Sequence, residues 1–239
     1  ILIFVSFTLK QSPIFENTPL FISDIKIQSN HGVFMSQKTN KSVVLYDLNL
    51  SRKLNEWIFE ETPTSIAIYK NLLFVTTFDT KGNLHIIDLR TNLIVSSIAV
   101  GSGATSPVVD VVRNKVYVCN QYSNSISIID LKLQKELRTE RVLREPRAAV
   151  KSADGQYLYG ANDLPAGSAN VDTVASSISV IDLNKFKTTK EIKLTNGSNA
   201  VQGLCLSPDK KYLFATHNLG RFQVPTSQLQ QGWMNTSAM

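Results

Sequence analysis

Val116-Tyr117-Val118-Cys119-Asn120-Gln121-Tyr122-Ser123-Asn124-Ser125-Ile126-Ser127-Ile128-Ile129-Asp130-Leu131 reads as two short strands joined by a polar turn. Period-2 alternation bounded by turn residues is the mark of half-buried antiparallel strands. The second half of the stretch recurs as Ser42 to Leu48 (SVVLYDL), Asn83 to Leu89 (NLHIIDL) and Ser177 to Leu183 (SISVIDL). Its terminal aspartates, Asp47, Asp88, Asp130 and Asp182, stand 41, 42 and 52 residues apart. A period of about 40 to 45 marks four-stranded propeller blades. The pattern therefore predicts an all-β fold, a β-propeller of four-stranded antiparallel blades.

Working outward, the first blade (20–60) takes Leu20 to Gln28, Gly32 to Ser36, Ser42 to Asp47 and Leu54 to Phe59 as strands. The second (62–100) uses Thr64 to Tyr69, Leu72 to Thr77, Asn83 to Asp88 and Ile94 to Val100. The third (105–143) uses Pro107 to Val112, Lys115 to Asn120, Ser125 to Asp130 and Glu136 to Leu143. The run Val108-Val109-Asp110-Val111-Val112 suits an innermost strand packed on both faces. The fourth (145–194) uses Arg147 to Lys151, Tyr157 to Ala161, Ser177 to Asp182 and Thr189 to Leu194. The fifth (200–239) has Ala200 to Leu206 and Tyr212 to Thr216, and the chain stops at Ala238-Met239, where a third strand is due. The expectation is about four and a half blades in an incomplete ring, a piece of a longer seven-bladed protein. Residues 1–19 read either as the tail of a secretory signal or as a closure strand of another blade, followed by a linker. Their apolar opening, Ile1 to Leu9, is shorter than the about 20 residues a membrane span needs.

The chain has 239 residues, 43% of them apolar, enough for one sizeable core in a single domain. Its 25 basic and 19 acidic residues leave +6, dispersed rather than gathered. The densest basic segment, Lys132 to Arg147, interleaves Glu136, Glu140 and Glu145 and lacks base-stacking aromatics, so no nucleic-acid partner is predicted. Cys119 and Cys205 sit in apolar strand patterns without CxxC, CxxCH or metal-ligand spacing. They read as inert core thiols, and no metal or cofactor is predicted. Each repeated Asp reads as structural, its carboxylate closing an Asx-turn into the fourth strand.

Tyr117-Val118-Cys119-Asn120 with Ser123 to Asp130 resembles the YVTN-type β-propeller repeat, with Cys119 at that tetrapeptide's threonine. Ser207-Pro208-Asp209-Lys210-Lys211-Tyr212-Leu213-Phe214 is similar to the family's "SPDGKYLY" hairpin, with Lys210 at the glycine. The resemblance implies an extracytoplasmic, periplasmic or secreted seven-bladed module that binds or scaffolds. Relatives with segments like 217–226 and 232–236 occur in proteins that also bear c-type haem domains. Fold resemblance alone assigns no activity.

The repeat fails twice, at Asn162 to Ser176 and at His217 to Ser237, both in the connection between a second and a third strand. In a propeller these connections share one face, in adjacent blades. Long loops on a rigid scaffold are where binding function concentrates. The candidate binding residues are Asn162, Asp163 and Asp172 in the first loop and His217, Asn218, Arg221 and Trp233 in the second. Arg221 suits a carboxylate or phosphate, and Trp233 an interface. His217 suits a metal, a proton or a structural hydrogen bond. Arg144 and Arg147 enter blade four on the same face. The leading expectation is a non-catalytic module presenting this polar rim to a protein or small polar ligand. The alternative is the propeller part of an enzyme, a lactonase-like hydrolase or a redox protein with a c-type haem domain elsewhere.

Overall fold

The computed structural model describes residues 21–28, 32–168, 170–220 and 235–239. Blade one consists of β1 (Ile22–Ile27), β2 (Gly32–Gln37), β3 (Ser42–Asp47) and β4 (Arg52–Ile58). Blade two is β5 (Pro63–Tyr69), β6 (Leu72–Phe78), β7 (Gly82–Asp88) and β8 (Leu93–Val100). Blade three is β9 (Ala104–Asp110), β10 (Lys115–Asn120), β11 (Ser125–Asp130) and β12 (Lys135–Arg141). Blade four is β13 (Pro146–Lys151), β14 (Tyr157–Asn162), β15 (Ser177–Asp182) and β16 (Lys187–Lys193). Blade five contains β17 (Ser198–Leu206), β18 (Leu213–Gly220) and β19 (Asn235–Ala238).

The expectation of four and a half blades in an incomplete ring is corrected by this topology. Five sheets form, and their first strands stand side by side in a ring around one cavity that residues of all five blades line. The third strand of blade five begins at Asn235, three residues before Ala238, where the sequence pattern had placed it. Residues 1–19 lie outside the described residues, as do Arg221 and Trp233.

The core lies between blades, and strand alternation explains how. Successive side chains point to opposite faces of a sheet, so Leu73 and Val75 join blade one's Phe34, Val43 and Trp57, while Phe74 joins blade three's Val116 and Val118. In the same way Tyr117 and Cys119 turn away from Val116 and Val118 to meet Leu158, Ile181 and Leu183 of blade four. The middle strands are consequently the buried ones, as β6, β7, β10 and β11 show. The first strands are only partly buried, which corrects the picture of an innermost strand covered on both faces. In blade three the first strand ends at Asp110, and Val111 and Val112 lie exposed in the turn that follows.

Each first strand skips a residue in its pairing with the second. The skip leaves Ser23, Thr64 and Arg147 unpaired, and falls at Ser106-Pro107 in blade three and across 200–202 in blade five. Such bulges re-aim side chains, and Ser23, Thr64, Ser106, Pro107, Arg147 and Gln202 line the cavity. They also join blades: Ser23 Oγ donates to the Pro63 carbonyl at 3.0 Å and Thr64 Oγ1 to that of Ala104 at 2.6 Å. The Ile66 N–H donates to Asp24 at 2.9 Å, and the Ala149 N–H to Ser106 at 3.0 Å. Blade three offers Pro107 at this place, which has no N–H, and Ser65 turns back to Asp24 instead.

The repeated aspartates close Asx-turns. Asp47 accepts from the N–H groups of Asn49 and Leu50, Asp130 from Lys132 and Leu133, and Asp182 from Asn184 and Lys185, all within 2.8–3.0 Å. Four residues after each Asp the chain turns through the left-handed region, at Ser51, Asn92, Gln134 and Phe186.

Asp110 itself is wholly buried and holds blades three and four together on the face opposite the long loops. Its carboxylate meets Arg113 at 3.1 Å and the Tyr117 hydroxyl at 3.3 Å. Arg113 reaches on to the Gly155 carbonyl and Asn184 Oδ1 in two turns of blade four.

Candidate functional site

Asn162 is the last residue of β14 and is buried. Its amide donates to Ser177 Oγ at 3.1 Å and Ser179 Oγ at 2.9 Å. Asn120 does the same in blade three, to Ser125 at 3.1 Å and Ser127 at 2.8 Å. The asparagine of the repeat therefore has a partner built into the third strand, and Asn162 occupies that scaffold place. In blade two the equivalent pairing is between Thr77 and His85, 3.0 Å apart.

Asp163 opens the long loop of blade four. One carboxylate oxygen pairs with Arg147 at 3.1 Å, while the other is buried without a hydrogen-bond partner. The pairing aligns an Arg on the bulge of β13 with the first residue of the loop. Its carbonyl accepts from Ser176 at 3.1 Å, which ties the two ends of the loop together.

The loop leans on the connection into blade five. Val174 donates to Asn196 Oδ1 and Asn196 Nδ2 donates to the Asp172 carbonyl, both at 2.9 Å. This fixes the backbone at Asp172, which is exposed. Arg144 reaches the Pro165 carbonyl at 3.1 Å from the other side.

Gly197 joins the roots of both loops. Its N–H donates to Val174 and its carbonyl accepts from Gly220, each at 2.8 Å. Its φ is +90°, and a Cβ there would stand 2.3 Å from the Gly220 carbonyl oxygen. Only glycine fits.

His217 and Asn218 lie on β18 opposite Ala238 and Ser237 of β19. The His217 ring is 3.2 Å from the Asn218 carbonyl. Together they border a shallow groove with Ala200, Gln202 and Thr216. The structure thus brings Asn162, Asp163 and Arg147 together and places His217 and Asn218 on the neighbouring blade. Among the described residues, no three His, Cys, Asp or Glu side chains cluster to hold a metal.

The cavity encircled by the blades has a volume near 650 Å³, within the roughly 300–1,000 Å³ of small-molecule sites. Lys38, Phe78, Gln121, Tyr122 and Arg147 come to it from the face that carries the long loop. Phe78 and Tyr122 form a tilted ring pair with centroids 5.3 Å apart. Two acids also line it. Asp24 meets Lys26 at 3.1 Å and accepts from Ser65 and Ile66. Asp79 meets Lys41 at 2.6 Å, and hydrogen bonds from Lys41 and Thr62 hold its carboxyl below the usual carboxylate range. Sequence reasoning missed this lining because it draws one or two residues from each blade, about forty positions apart. The available signal was a polar residue at the same place in successive first strands, as in Ser23, Thr64 and Thr105.

No family model matches the chain. It is 33% identical over 106 residues to Antigen Lp49 of Leptospira interrogans serogroup Icterohaemorrhagiae serovar copenhageni (strain Fiocruz L1-130), an alignment covering 42% of this chain and 22% of that protein. It is similar in structure to a chain of Kuenenia stuttgartiensis hydrazine synthase, with a TM-score of 0.80 at 19% identity over 96% of this chain. The chain spans about a fifth of the first protein's length and 64% of the second's. At that identity the structural likeness carries the fold alone, and the fold is a β-propeller.

Proposed function

We propose that this chain is an extracytoplasmic binding module that presents the long-loop rim of blades four and five, and the cavity beside it, to a protein or small polar ligand. The observation that carries the reading is the convergence at Gly197, where the roots of the two least repetitive segments are fixed side by side. Rigid support of long loops is the physical requirement for a specific surface. Arg147, held by Asp163, sets a positioned cation at the same rim. Arg221 and Trp233 belong to the second loop and supply the anchors most often found at interfaces.

The test replaces 163–176 with the four-residue turn of blade three, 121–124, and separately changes Arg221 and Trp233 to Ala. Affinity capture from cells making the full-length protein, read by mass spectrometry, is compared with the unaltered protein. The reading expects partners lost from both variants at unchanged abundance and export. The same partners retained by both would overturn it.

A second reading, the propeller part of an enzyme, is favoured by the structural likeness to a chain of hydrazine synthase. It expects the purified full-length protein to carry a haem absorbance or a catalytic subunit, or to hydrolyse a lactone. None of these in the purified protein would remove it.

A further inference from the structure

We infer that the cavity binds a small hydroxylated monocarboxylate, of the size and chemistry of a sugar acid, with Arg147 on the carboxylate. The inference rests on the binding-module reading and names the ligand class for it.

The lining groups of the cavity differ in how far they are already engaged. The acids are committed: Asp24 to Lys26, Ser65 and the Ile66 N–H, and Asp79 to Lys41 and the Thr62 N–H. Of the lining cations Lys26 is committed to Asp24, while Lys38 and Arg147 keep donors to spare. Among the described residues Lys38 Nζ has no partner, and Arg147 makes one contact, to Asp163. A guanidinium presents five N–H donors in a planar fork that matches the two oxygens of a carboxylate. The Asp163 carboxylate fixes that fork in place while its second oxygen stays buried and unpartnered.

The rest of the lining is neutral and polar. The Thr105 and Tyr122 hydroxyls and the Gln202 amide have no partner among the described residues, and all three line the cavity. They suit a ligand rich in hydroxyl groups, since each is both donor and acceptor. The Phe78 and Tyr122 rings offer an apolar face at the mouth, fitting the C–H face of a pyranose. A phosphate is disfavoured because the lining contains neither a helix N-terminus nor a run of backbone N–H groups to cradle it.

Isothermal titration calorimetry of the full chain with D-galacturonate, D-galactose and acetate tests this. Galacturonate is expected to bind, with galactose and acetate each about tenfold weaker or more. Arg147→Lys keeps a cation beside Asp163 but loses the fork, and Lys38→Met removes the second charge. Each is expected to weaken galacturonate by about tenfold. Equal binding of galacturonate and galactose would overturn the inference, as would unchanged affinity in both variants. So would no heat with either galacturonate or D-gluconate at millimolar concentration. If that happens while the loop replacement still abolishes partner capture, the ligand class is wrong and the module reading stands.

Discussion

Lys151 Nζ lies 2.8 Å from Asp110 Oδ1 across the boundary between blades three and four, and the carboxylate it meets is 0% exposed. Arg113 approaches the other oxygen, so one buried anion answers two cations from two blades. Removing one member of a buried pair costs about 3 to 5 kcal/mol because the remaining charge is left without compensation. Asp110→Asn is expected to destabilise the chain by about 3 kcal/mol, and Lys151→Met by less, since Arg113 remains. Urea denaturation midpoints check the order; equal midpoints for all three proteins would contradict it.

Acid should destabilise the protein in two windows. Burial lowers the His85 pKa, with Glu61 opposing it weakly. The folded value is therefore depressed, and the unfolded chain binds the proton more readily. Stability is fully present above about 6.5, the unfolded value, and declines as pH falls through the folded one. For Asp110, burial raises the pKa, but Lys151 and Arg113 outweigh it and hold the carboxyl low. Its contribution is present above about 3.9 and is lost as pH falls through the depressed value. Denaturation midpoints at about pH 7.5, 5 and 2.5 should show both steps. His85→Gln should flatten the first, and Asp110→Asn should shrink but not abolish the second, to which Asp79, Asp88, Asp130 and Asp182, held low by their hydrogen bonds, also contribute.

The two thiols should differ sharply in reactivity. Cys119 is wholly buried between blades three and four, and burial pushes its pKa up to about 12. Cys205 is exposed. The thiolate is the nucleophile, so a disulfide reagent should titrate one thiol rapidly in the native chain and the second only on unfolding. Cys205→Ser should abolish the rapid phase. Two rapid thiols would contradict the packing of β10.

Gly197→Ala should disturb both long loops at once. The left-handed backbone and the 2.3 Å approach to Gly220 leave no room for a methyl group. A loss of about 2 kcal/mol or more is expected, since strain at a position that cannot relax exceeds the about 1 kcal/mol of the glycine entropy term. Hydrogen exchange should rise at Val174, Ser176 and Gly220 and stay unchanged in blades one and two.

Gln134→Gly should act in the opposite direction. Gln134 is exposed, with φ of +51°, in the turn after Asp130. Left-handed backbone costs a residue with a Cβ about 1 kcal/mol, and glycine offsets part of that relief by its larger unfolded-state entropy. A gain of about 0.5 kcal/mol, read as a higher urea midpoint, is the expected result.

What the sequence made legible follows its periodicity. Asp47, Asp88, Asp130 and Asp182 reveal the blades because each closes the same turn, and the same physics recurs in each copy. Where a residue serves neighbouring blades, the pattern is silent. Asp110 sits inside an apolar run, and its partners Arg113 and Lys151 belong to two different blades. Asn162 shows the reverse error of emphasis, because it borders an irregular loop yet makes the hydrogen bonds of Asn120. The Arg147 pairing with Asp163 was half visible, as two charged residues on one face. Their contact depends on a bulge in β13 that no composition signals.

The bulge in each first strand has one more consequence. Ser23, Thr64 and Arg147 are released from the ladder at the same step of three blades, and each side chain both lines the cavity and ties the scaffold, Ser23 and Thr64 to the next blade and Arg147 to Asp163. A substitution at such a position leaves the ladder pairing of its own sheet in place but alters the cavity wall and a supporting contact together. The scaffold thereby couples what its interior can recognise to how its blades are joined, so that a change of lining at Ser23 or Thr64 is also a change at a blade boundary.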